Sequence, residues 1–305
     1  METLISCRDL TKRYGETCAL DGFSAEIPRA TVGLLGENGA GKTTLIKILM
    51  GILGRDGGEV EVFGRKVEEV WPDYLRDLGY MPEGVCSIVG HTPVSYLTYL
   101  AQLSGLRYRE ALGRAHEVLY YVGVYQERYR LMASLSYGVQ QRVNIAQALV
   151  HGPRLVFLDE PTVGLDGEGR EGFLRLIGRL SELGVGVVFS SHILEDIERT
   201  CEYIIFLHRG RRVYQGELSK LREGSGRRYR LKFVGDMGRY CGVLEGEGVE
   251  VLERERDYFL RVSLPEGVSV NLLLEKALEV GGVVCHLEAI RPSLLEIFVS
   301  MTSSG

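Results

Sequence analysis

The sequence predicts an α/β protein, in which a large domain built around a buried sheet is followed by a small α+β domain. Three observations lead to this prediction. Short apolar runs of strand length alternate with helical segments over residues 1–221. One of these runs ends in a glycine-rich loop that opens a helix. After a linker rich in Gly, Ser and charge at residues 222–228, short alternating strands and helices occupy residues 229–305.

Continuous apolar runs predict the strands of the large domain, and they lie at Thr31–Gly36, Leu155–Leu158 and Val185–Ser190. Such runs are typical of strands that are buried on both faces of a sheet. The helix Lys42–Met50 follows the first of them. A helical subdomain is predicted at about residues 84–150, because Thr92–Val122 is helical in period. Its stripe of Leu97, Leu100 and Leu103 is more typical of a core face than of a docking face.

The small domain is predicted from five segments with clear periodicity. Three of them alternate as strands and two read as helices, in the order Tyr229–Phe233, Tyr258–Val262, Asn271–Val280 (helix), Val283–Leu287 and Pro292–Met301 (helix). We expect an appendage that stabilises the protein or supports pairing of two copies, and a ligand-sensing role stays open.

Composition limits the classes of function. The chain of 305 residues is 45 % hydrophobic and 25 % charged, which is ordinary for a globular protein. Its net charge of −5 argues against a nucleic-acid partner. No apolar run approaches the roughly 18 to 20 residues that span a bilayer, and the first residues lack the build of a secretory signal. We therefore expect a cytoplasmic protein.

The cysteines are scattered, and they show neither a CxxC pair nor a histidine at zinc-site spacing. In a cytoplasmic protein such cysteines are expected to be reduced and mostly buried, although disulfides or zinc remain the alternative. The six positions are Cys7, Cys18, Cys86, Cys201, Cys241 and Cys285. We expect no metal other than Mg²⁺.

Residues 36–43 read GENGAGKT and fit the phosphate-loop pattern G-x-x-x-x-G-K-[ST], after an apolar strand and at the start of a helix. Glycines let successive N–H groups point at phosphate oxygens, and the helix dipole adds positive potential. Lys42 is expected to reach the β- and γ-phosphates, and the Thr43 hydroxyl to bind Mg²⁺. A glycine-rich turn without a ligand is the alternative. The predicted nucleotide contacts are Gly36, Glu37, Asn38, Gly39, Ala40, Gly41, Lys42, Thr43 and Thr44.

An acidic pair follows the second buried strand. Asp159 and Glu160 stand at its carboxyl end, which is where open α/β sheets bind ligands. Asp159 is the expected Mg²⁺ partner, and Glu160 can polarise a water molecule for attack on the γ-phosphate. An acidic dipeptide that only begins a turn or caps a helix is the alternative.

His192 follows the third buried strand and is therefore expected at the same edge of the sheet. A neutral imidazole there can hydrogen-bond the γ-phosphate and hold the attacking water near Glu160. A surface or helix-capping histidine is the alternative. We predict that Glu160, His192 and Lys42 are the catalytic residues.

Further segments resemble the ABC ATPases. LSYGVQQRV at residues 135–143 resembles their LSGGQ signature, and VGLD at residues 163–166 resembles their D-loop. Glu83 occupies the place of the Q-loop glutamine, and Tyr14 lies where the family carries an aromatic residue that stacks on adenine. These landmarks occur in the family's order over about residues 3–220. The resemblance implies a P-loop NTPase domain that binds and hydrolyses ATP with Mg²⁺.

The resemblance also implies how the ATP site is completed. Two copies of the domain pair head to tail around two ATP molecules, and a homodimer is expected. Ser136 and Gly138 of one copy then contact the γ-phosphate held by Lys42 and Thr43 of the other. Asp166 crosses the same interface. The family's Q-loop position adds Glu83 to the nucleotide contacts and, with Thr43 and Asp159, to the expected Mg²⁺ contacts.

Departures from the commonest motifs point to a branch of the family. Tyr137 and Val139 stand within the signature, and Glu83 replaces glutamine. This variation resembles that of exporter ATPases that move drugs, lipids or polymers, some of which carry a small C-terminal extension. The resemblance implies a separate transmembrane permease, with this chain held peripherally on the inner face of the cell membrane.

Two other classes of function are alternatives to a transporter motor. A soluble ABC ATPase of DNA repair or translation usually carries long coiled-coil insertions, zinc-binding cysteine pairs or tandem ATPase domains, and this sequence shows none of them. A regulator that binds ATP without hydrolysing it would be expected to lack Asp159, Glu160 or His192, and all three are present. The transporter motor is therefore the favoured hypothesis.

Overall fold

The computed structural model describes residues 2–85, 90–223, 227–255, 258–265, 267–290 and 294–303. The chain divides into two compact units, residues 1–217 and 218–305. The division lies four residues before the predicted one. The predicted linker also shares residues with regular structure, because a helix (α8, Leu218–Glu223) ends within it and a strand (β11, Arg227–Val234) begins within it.

The first unit contains an antiparallel sheet that the apolar runs did not predict. Its strands are β1 (Thr3–Tyr14), β2 (Thr17–Pro28), β4 (Gly57–Val62) and β5 (Arg65–Lys66), in the order β2-β1-β4-β5. Inward residues such as Leu4, Leu10 and Phe23 join the main apolar core. The long β1–β2 hairpin ends at Tyr14 and Thr17, which pair with each other.

The six-stranded sheet of the first unit positions the predicted site. Its order is β10-β9-β3-β8-β7-β6. All neighbouring pairs are parallel except β9 and β10. The strands are β3 (Thr31–Leu35), β6 (Leu78–Met81), β7 (Leu155–Asp159), β8 (Gly186–Ser191), β9 (Tyr203–His208) and β10 (Arg211–Glu217). Because β3, β7 and β8 are adjacent and parallel, the three segments that follow them meet at one edge.

Helices cover this sheet and form the helical segment between β6 and β7. They are α1 (Lys42–Leu49), α2 (Val67–Val70), α3 (Pro93–Leu103), α4 (Tyr108–Tyr121), α5 (Tyr137–Leu149), α6 (Gly167–Glu182) and α7 (Leu194–Thr200), with 3-10 turns at Asp73–Asp77 and Met132–Ser134. Helix α3 begins where Thr92 and Ser95 form a capping box with Pro93 in the first turn.

The predicted leucine stripe of α3 is only partly a core face. Leu97 is fully buried, whereas Leu103 is 67 % exposed at the last turn of the helix. The expectation for Leu103 was therefore wrong, because α3 ends at this residue and most of the side chain stays exposed. Tyr99 on the same helix is also exposed.

The second unit continues from α8 and β11 with α9 (Met237–Gly246), β12 (Glu250–Arg254), β13 (Phe259–Leu264), α10 (Asn271–Glu279), β14 (Val283–Ile290) and α11 (Leu294–Ser303). Its antiparallel sheet has the order β12-β13-β11-β14. A core of its own includes Phe233 and Tyr240, whose rings stack at 4.1 Å between centroids. The predicted strands and helices of this region are present, and α9 and β12 are additional.

Two further expectations concern the whole chain. Of the helices in the described residues, none is long and apolar enough to cross a membrane. Cys7, Cys18, Cys201, Cys241 and Cys285 are free thiols, and the first, third and fourth are buried. Cys86 lies outside the described residues.

Candidate functional site

The phosphate loop connects β3 to α1 and is packed tightly against neighbouring backbone. Gly41 has φ +109°, a conformation that side-chain-bearing residues rarely adopt, and a Cβ there would stand 2.5 Å from the Ala19 carbonyl oxygen. Glycine at this position therefore lets the loop lie against β2 while it turns into α1. Gly36 and Ala40 are buried under the loop.

Lys42 begins α1 and turns its side chain back over the loop. Its Nζ donates to the carbonyl oxygens of Gly36 at 2.7 Å and Glu37 at 3.3 Å. The same Nζ lies 3.3 Å from Oε1 of Glu160, and both side chains are less than one-tenth exposed. In this ion pair the ammonium of the loop is neutralised by the carboxylate that follows β7.

Glu160 is held by three neighbouring elements. Its backbone has φ +46°, which turns the chain sharply at the end of β7. The Glu160 N–H donates to Oγ of Ser190 on β8 at 2.9 Å. Oε2 of Glu160 lies 2.9 Å from Nδ1 of His192, which can donate to it when that nitrogen carries the proton. Glu160 is thus in direct contact with the other two predicted catalytic residues, Lys42 and His192.

Asp159 is buried beneath this cluster. Its Oδ1 accepts a hydrogen bond from Oγ of Ser190 at 2.7 Å, whereas Oδ2 is buried and finds no hydrogen-bond partner in the described part of the chain. A buried, unpartnered carboxylate oxygen fits a hard cation such as Mg²⁺. The described residues contain no group of three or more His, Cys, Asp or Glu side chains that could hold a metal ion. One carboxylate and a hydroxyl suit Mg²⁺, which is usually bound by one or two carboxylates together with substrate phosphates and water.

An open pocket of about 440 Å³ extends over the phosphate loop. It is large enough for a nucleotide, and polar and apolar groups line it about equally. Its lining residues are Ala19, Glu37, Asn38, Gly39, Gly41, Lys42, Thr43, Thr44, Glu83, Glu160, Val163 and His192. Ala19 and Val163 are the two lining residues that the sequence motifs did not predict.

Several predicted site residues lie outside this pocket lining. Gly36, Ala40 and Asp159 are buried next to it. Tyr14 is 50 % exposed at the end of the β1–β2 hairpin, with Nζ of Lys12 5.8 Å from its ring centroid. Ser136 and Gly138, at the start of α5, do not reach the pocket of their own chain.

Tyr137 links the signature segment to the D-loop segment of the same chain. Its hydroxyl donates to the carbonyl oxygen of Val163 at 3.2 Å and accepts from Nε2 of Gln141 at 2.9 Å. A Cβ at Gly164 would stand 2.9 Å from the Tyr137 ring, so the ring packs against bare backbone. Because Val163 lines the pocket, the hydrogen bond to its carbonyl oxygen connects Tyr137 to the lining of the nucleotide pocket.

Asp166 has a structural role in this chain. Its Oδ1 accepts from the N–H of Gly169 at 2.8 Å, so it is the N-cap of α6. A buried network nearby was missed by the motif analysis. Asp196 on α7, fully buried, accepts from Thr162 at 2.7 Å and from Nε of Arg170 at 2.6 Å. These bonds join α7, which follows His192, to the segment after Glu160, and only the fold brings them together.

Glu83 lies in the loop after β6, and helix α5 holds that loop. Nδ2 of Asn144 donates to the carbonyl oxygen of Gly84 at 2.6 Å and lies 3.4 Å from that of Pro82. Burial raises the pKa of Tyr80 to about 12, and the negative charges of Asp159 and Glu83 contribute to the increase. Both carboxylates therefore lie near the end of β6.

Comparison with known proteins identifies the family of this chain. The ABC transporter family matches residues 20–163, which include the phosphate loop and the acidic pair. The bacitracin transport ATP-binding protein BcrA of Bacillus licheniformis is 31 % identical over 100 % of this chain and 99 % of its own. The daunorubicin resistance ATP-binding protein DrrA3 of Streptomyces coeruleorubidus is 31 % identical over 99 % of this chain and 96 % of its own.

A solved structure agrees as well. It is a dimeric ATP-binding cassette in a post-hydrolysis state with ADP and phosphate, and it is 27 % identical over 70 % of this chain and 99 % of its own, with a TM-score of 0.64. The predicted family, the P-loop NTPase fold and the enzyme class are confirmed. The chain belongs to the ATP-binding proteins of the ABC transporter family and is an ATPase.

Proposed function

We propose that this chain is the motor of an exporter, in which it pairs with a second, identical ATPase subunit and drives a separate transmembrane permease from the inner face of the cell membrane. The observation that carries the proposal is the contact of Glu160 with both Lys42 and His192 in a nucleotide-sized pocket. These are the residues that hydrolysis requires, so a regulator that only binds ATP is disfavoured.

ATP binding exchanges the partners of Lys42. In the structure its ammonium is neutralised by Glu160 and donates hydrogen bonds to loop carbonyl oxygens. The β- and γ-phosphates bring more negative charge to the loop, and the N–H groups of the loop and of α1 point toward that charge. Lys42 then turns to the phosphates, and Glu160 loses its cationic partner.

Hydrolysis uses the carboxylate that this exchange releases. Glu160 accepts a hydrogen bond, and in the transition state a proton, from the water that attacks the γ-phosphorus. The bond from that phosphorus to the bridging oxygen of ADP breaks, which yields ADP and phosphate. His192 holds Glu160 in place through Nδ1, which leaves Nε2 for a hydrogen bond to the γ-phosphate. Ser190 keeps the turn at Glu160 fixed through the Glu160 N–H.

Mg²⁺ fits the oxygens that the chain presents beside this cluster. Asp159, through its unpartnered Oδ2, and the Thr43 hydroxyl would hold it, with Glu83 near the same place. When bound, the ion neutralises phosphate charge and orients the γ-phosphate. The chain itself holds Asp159 by the Ser190 hydrogen bond to Oδ1, which leaves the other oxygen for the metal.

Pairing of two chains completes the ATP site in this proposal. Ser136, Gly138 and Asp166 lie outside the pocket of their own chain, so they are available to the nucleotide of a second copy. The dimeric state of the similar solved cassette supports this arrangement. This chain is similar to proteins of bacitracin transport and daunorubicin resistance over nearly the full length of each. The similarity supports export as the process that ATP hydrolysis by this chain drives.

The first test is Glu160→Gln. The amide keeps the shape of the side chain but cannot accept the proton of water, so ATP turnover should fall by at least about a hundredfold, in line with the usual contribution of a general base. ATP binding should persist, and the variant should accumulate as an ATP-bound dimer. Phosphate release and size-exclusion chromatography with light scattering measure the two effects.

The matched control is Lys42→Ala, which should lose both nucleotide binding and the ATP-dependent dimer. Undiminished turnover of Glu160→Gln would contradict the catalytic assignment. A Glu160→Gln chain that stays monomeric at saturating ATP would contradict the paired motor, even with hydrolysis abolished.

A further inference from the structure

A second cavity lies apart from the nucleotide pocket in the first unit. It has a volume of about 420 Å³ and is lined by the end of α4 with the turn that follows it, by α5 and by α6. None of its lining residues also lines the pocket over the phosphate loop. Its volume is close to that of the nucleotide pocket, so it can take a small organic molecule.

The charge of this cavity is one-sided. Arg142, Arg175 and Arg179 line it, and among the described residues no Asp or Glu does. Arg175 lies 3.9 Å from Glu171, but both oxygens of Glu171 already accept from Arg199. For Arg142 and Arg179, no ion pair occurs within the described part of the chain. Three like charges around one cavity repel one another, and an anion between them would relieve this repulsion.

The guanidinium of Arg142 is held in place before any ligand arrives. It lies in a slot between two glycines, where a Cβ at Gly123 would stand 2.8 Å from Nη1 and a Cβ at Gly172 3.0 Å from Nη2. Nη1 makes one long hydrogen bond, 3.4 Å, to the Val122 carbonyl oxygen. Gly172 lies inside α6, where glycine weakens a helix, and it leaves room for the Arg142 guanidinium.

Tyr121 contributes a second unsatisfied group. It lines this cavity and also a neighbouring one, and its buried hydroxyl has no hydrogen-bond partner among the residues that the structure describes. Burial raises the pKa of Tyr121, so the hydroxyl keeps its proton and remains a donor. Within the described residues, the Tyr121 hydroxyl lacks an acceptor and the half-buried Arg142 guanidinium lacks a carboxylate. An acceptor that carries negative charge would satisfy both groups.

We propose that this cavity is a binding site for a phosphate group carried by a small molecule or a lipid headgroup. Tetrahedral phosphate oxygens suit the planar fork of guanidinium groups, which bind them through two N–H groups at once. A bound phosphate would join α5, which carries the signature segment, to α6, which follows Asp166. It would therefore favour one relative placement of these two helices and alter turnover. The existence of the site does not depend on the proposed transport function.

The test uses pyrophosphate as the probe and the Lys42→Ala chain as the background, so that the phosphate loop does not contribute. Isothermal titration should show saturable binding. The pair Arg175→Ala and Arg179→Ala should weaken it at least tenfold. The control pair is Arg65→Ala and Arg109→Ala, two exposed arginines outside the cavity, which changes the net charge equally and should leave the affinity within about twofold.

A matched pair of glycine variants tests the slot itself. Gly172→Ala should displace Arg142 and weaken pyrophosphate binding, whereas Gly178→Ala, on the same helix with open space around it, should not. Vesicles of phosphatidylglycerol, compared with phosphatidylcholine, distinguish the source of the phosphate. One outcome assigns a lipid headgroup. In it, the chain sediments with the anionic vesicles but does not bind pyrophosphate, and the Arg175/Arg179 double variant no longer sediments with them. Absence of both kinds of binding, or equal losses in the test and control pairs, would overturn the proposal.

Discussion

Tyr137 shows how one side chain connects two functional segments. In the commonest ABC signature this place is held by glycine, and here a tyrosine makes a hydrogen bond to Val163 and stacks its ring on Gly164. Val163 lines the nucleotide pocket, and its N–H lies 3.3 Å from the Glu160 carbonyl oxygen. In the proposed dimer, the signature of each chain faces the other chain's ATP, so Tyr137 connects that contact to the Glu160 of its own chain.

Tyr137→Phe should therefore reduce turnover more than it reduces nucleotide binding. It removes the hydrogen bond to the Val163 carbonyl oxygen and also the one that the hydroxyl accepts from Gln141. The first of these, to a backbone group of the pocket, is worth about 1 kcal/mol, so we expect a rate roughly fivefold lower. The affinity of the isolated chain for a fluorescent nucleotide should be unchanged, since Tyr137 does not line the pocket.

The control for this prediction is Tyr129→Phe, an exposed tyrosine before the signature segment. Equal rates for the Tyr137→Phe chain and the unsubstituted chain would show that the hydroxyl does not couple the signature segment to the D-loop segment. A parallel loss of nucleotide affinity would indicate a general distortion instead.

Helix α5 connects three parts of the first unit. Its first residue is Tyr137, its middle holds the Glu83 loop through Asn144, and its far end is followed by His151. Nε2 of His151 lies 2.9 Å from the Leu78 carbonyl oxygen on β6. A single rigid helix thus joins the signature segment, the loop after β6 and the base of the sheet.

His151 should make this part of the fold sensitive to acid. Burial lowers the pKa of His151 below its ordinary value, although the Leu78 contact acts in the opposite direction. The unfolded chain therefore binds more protons than the folded one as the pH falls. The stabilising contribution of His151 is complete above the unfolded pKa, near 6.5, and is lost as the pH falls through that value toward the lower folded pKa.

Urea denaturation at pH 7.5, 6.5 and 5.5 measures this effect, followed by the fluorescence of Trp71, the single tryptophan, which belongs to the first unit. The midpoint should fall on acidification, and His151→Gln should flatten the dependence. His286→Gln, in the second unit, is the control. An unchanged slope in His151→Gln would refute the assignment.

At the scale of the molecule, two units with separate cores share one chain. The first carries every residue of the candidate site, and the second has its own apolar core around Phe233 and Tyr240. The similarity to BcrA and DrrA3 extends over both units. The second unit therefore belongs to the architecture that these proteins share, beyond the residues matched by the ABC transporter family.

The proposed motor requires a membrane partner, and this can be tested directly. Tagged Glu160→Gln chain, purified from gently solubilised membranes in the presence of Mg-ATP, should bring with it a protein with several apolar membrane spans. The Lys42→Ala chain, treated in the same way, shows whether the association depends on nucleotide. Recovery of soluble proteins alone would count against export and favour another use of the ATPase.

Local sequence was enough to predict the α/β class, the phosphate loop, the acidic pair and the family. Each of these depends on contiguous runs of residues, such as the glycines before Lys42 or the apolar strand before Asp159. The backbone conformation of such a run can be predicted from its residue types alone. The antiparallel sheet was missed because strands that face a core on one side carry a weaker apolar signal. The exposure of Leu103 was missed because an apolar stripe on a helix does not show where the elements packed against that helix end.

The contacts between distant segments were decided by tertiary structure alone. The bond from Tyr137 to Val163, the network around Asp196 and the slot for Arg142 join residues that no motif connects. Side-chain hydrogen bonds and steric fit act over about 3 Å, whereas their partners lie far apart along the chain. Sequence therefore specified which chemical groups are present, and the adjacency of β3, β7 and β8 determined which of them meet.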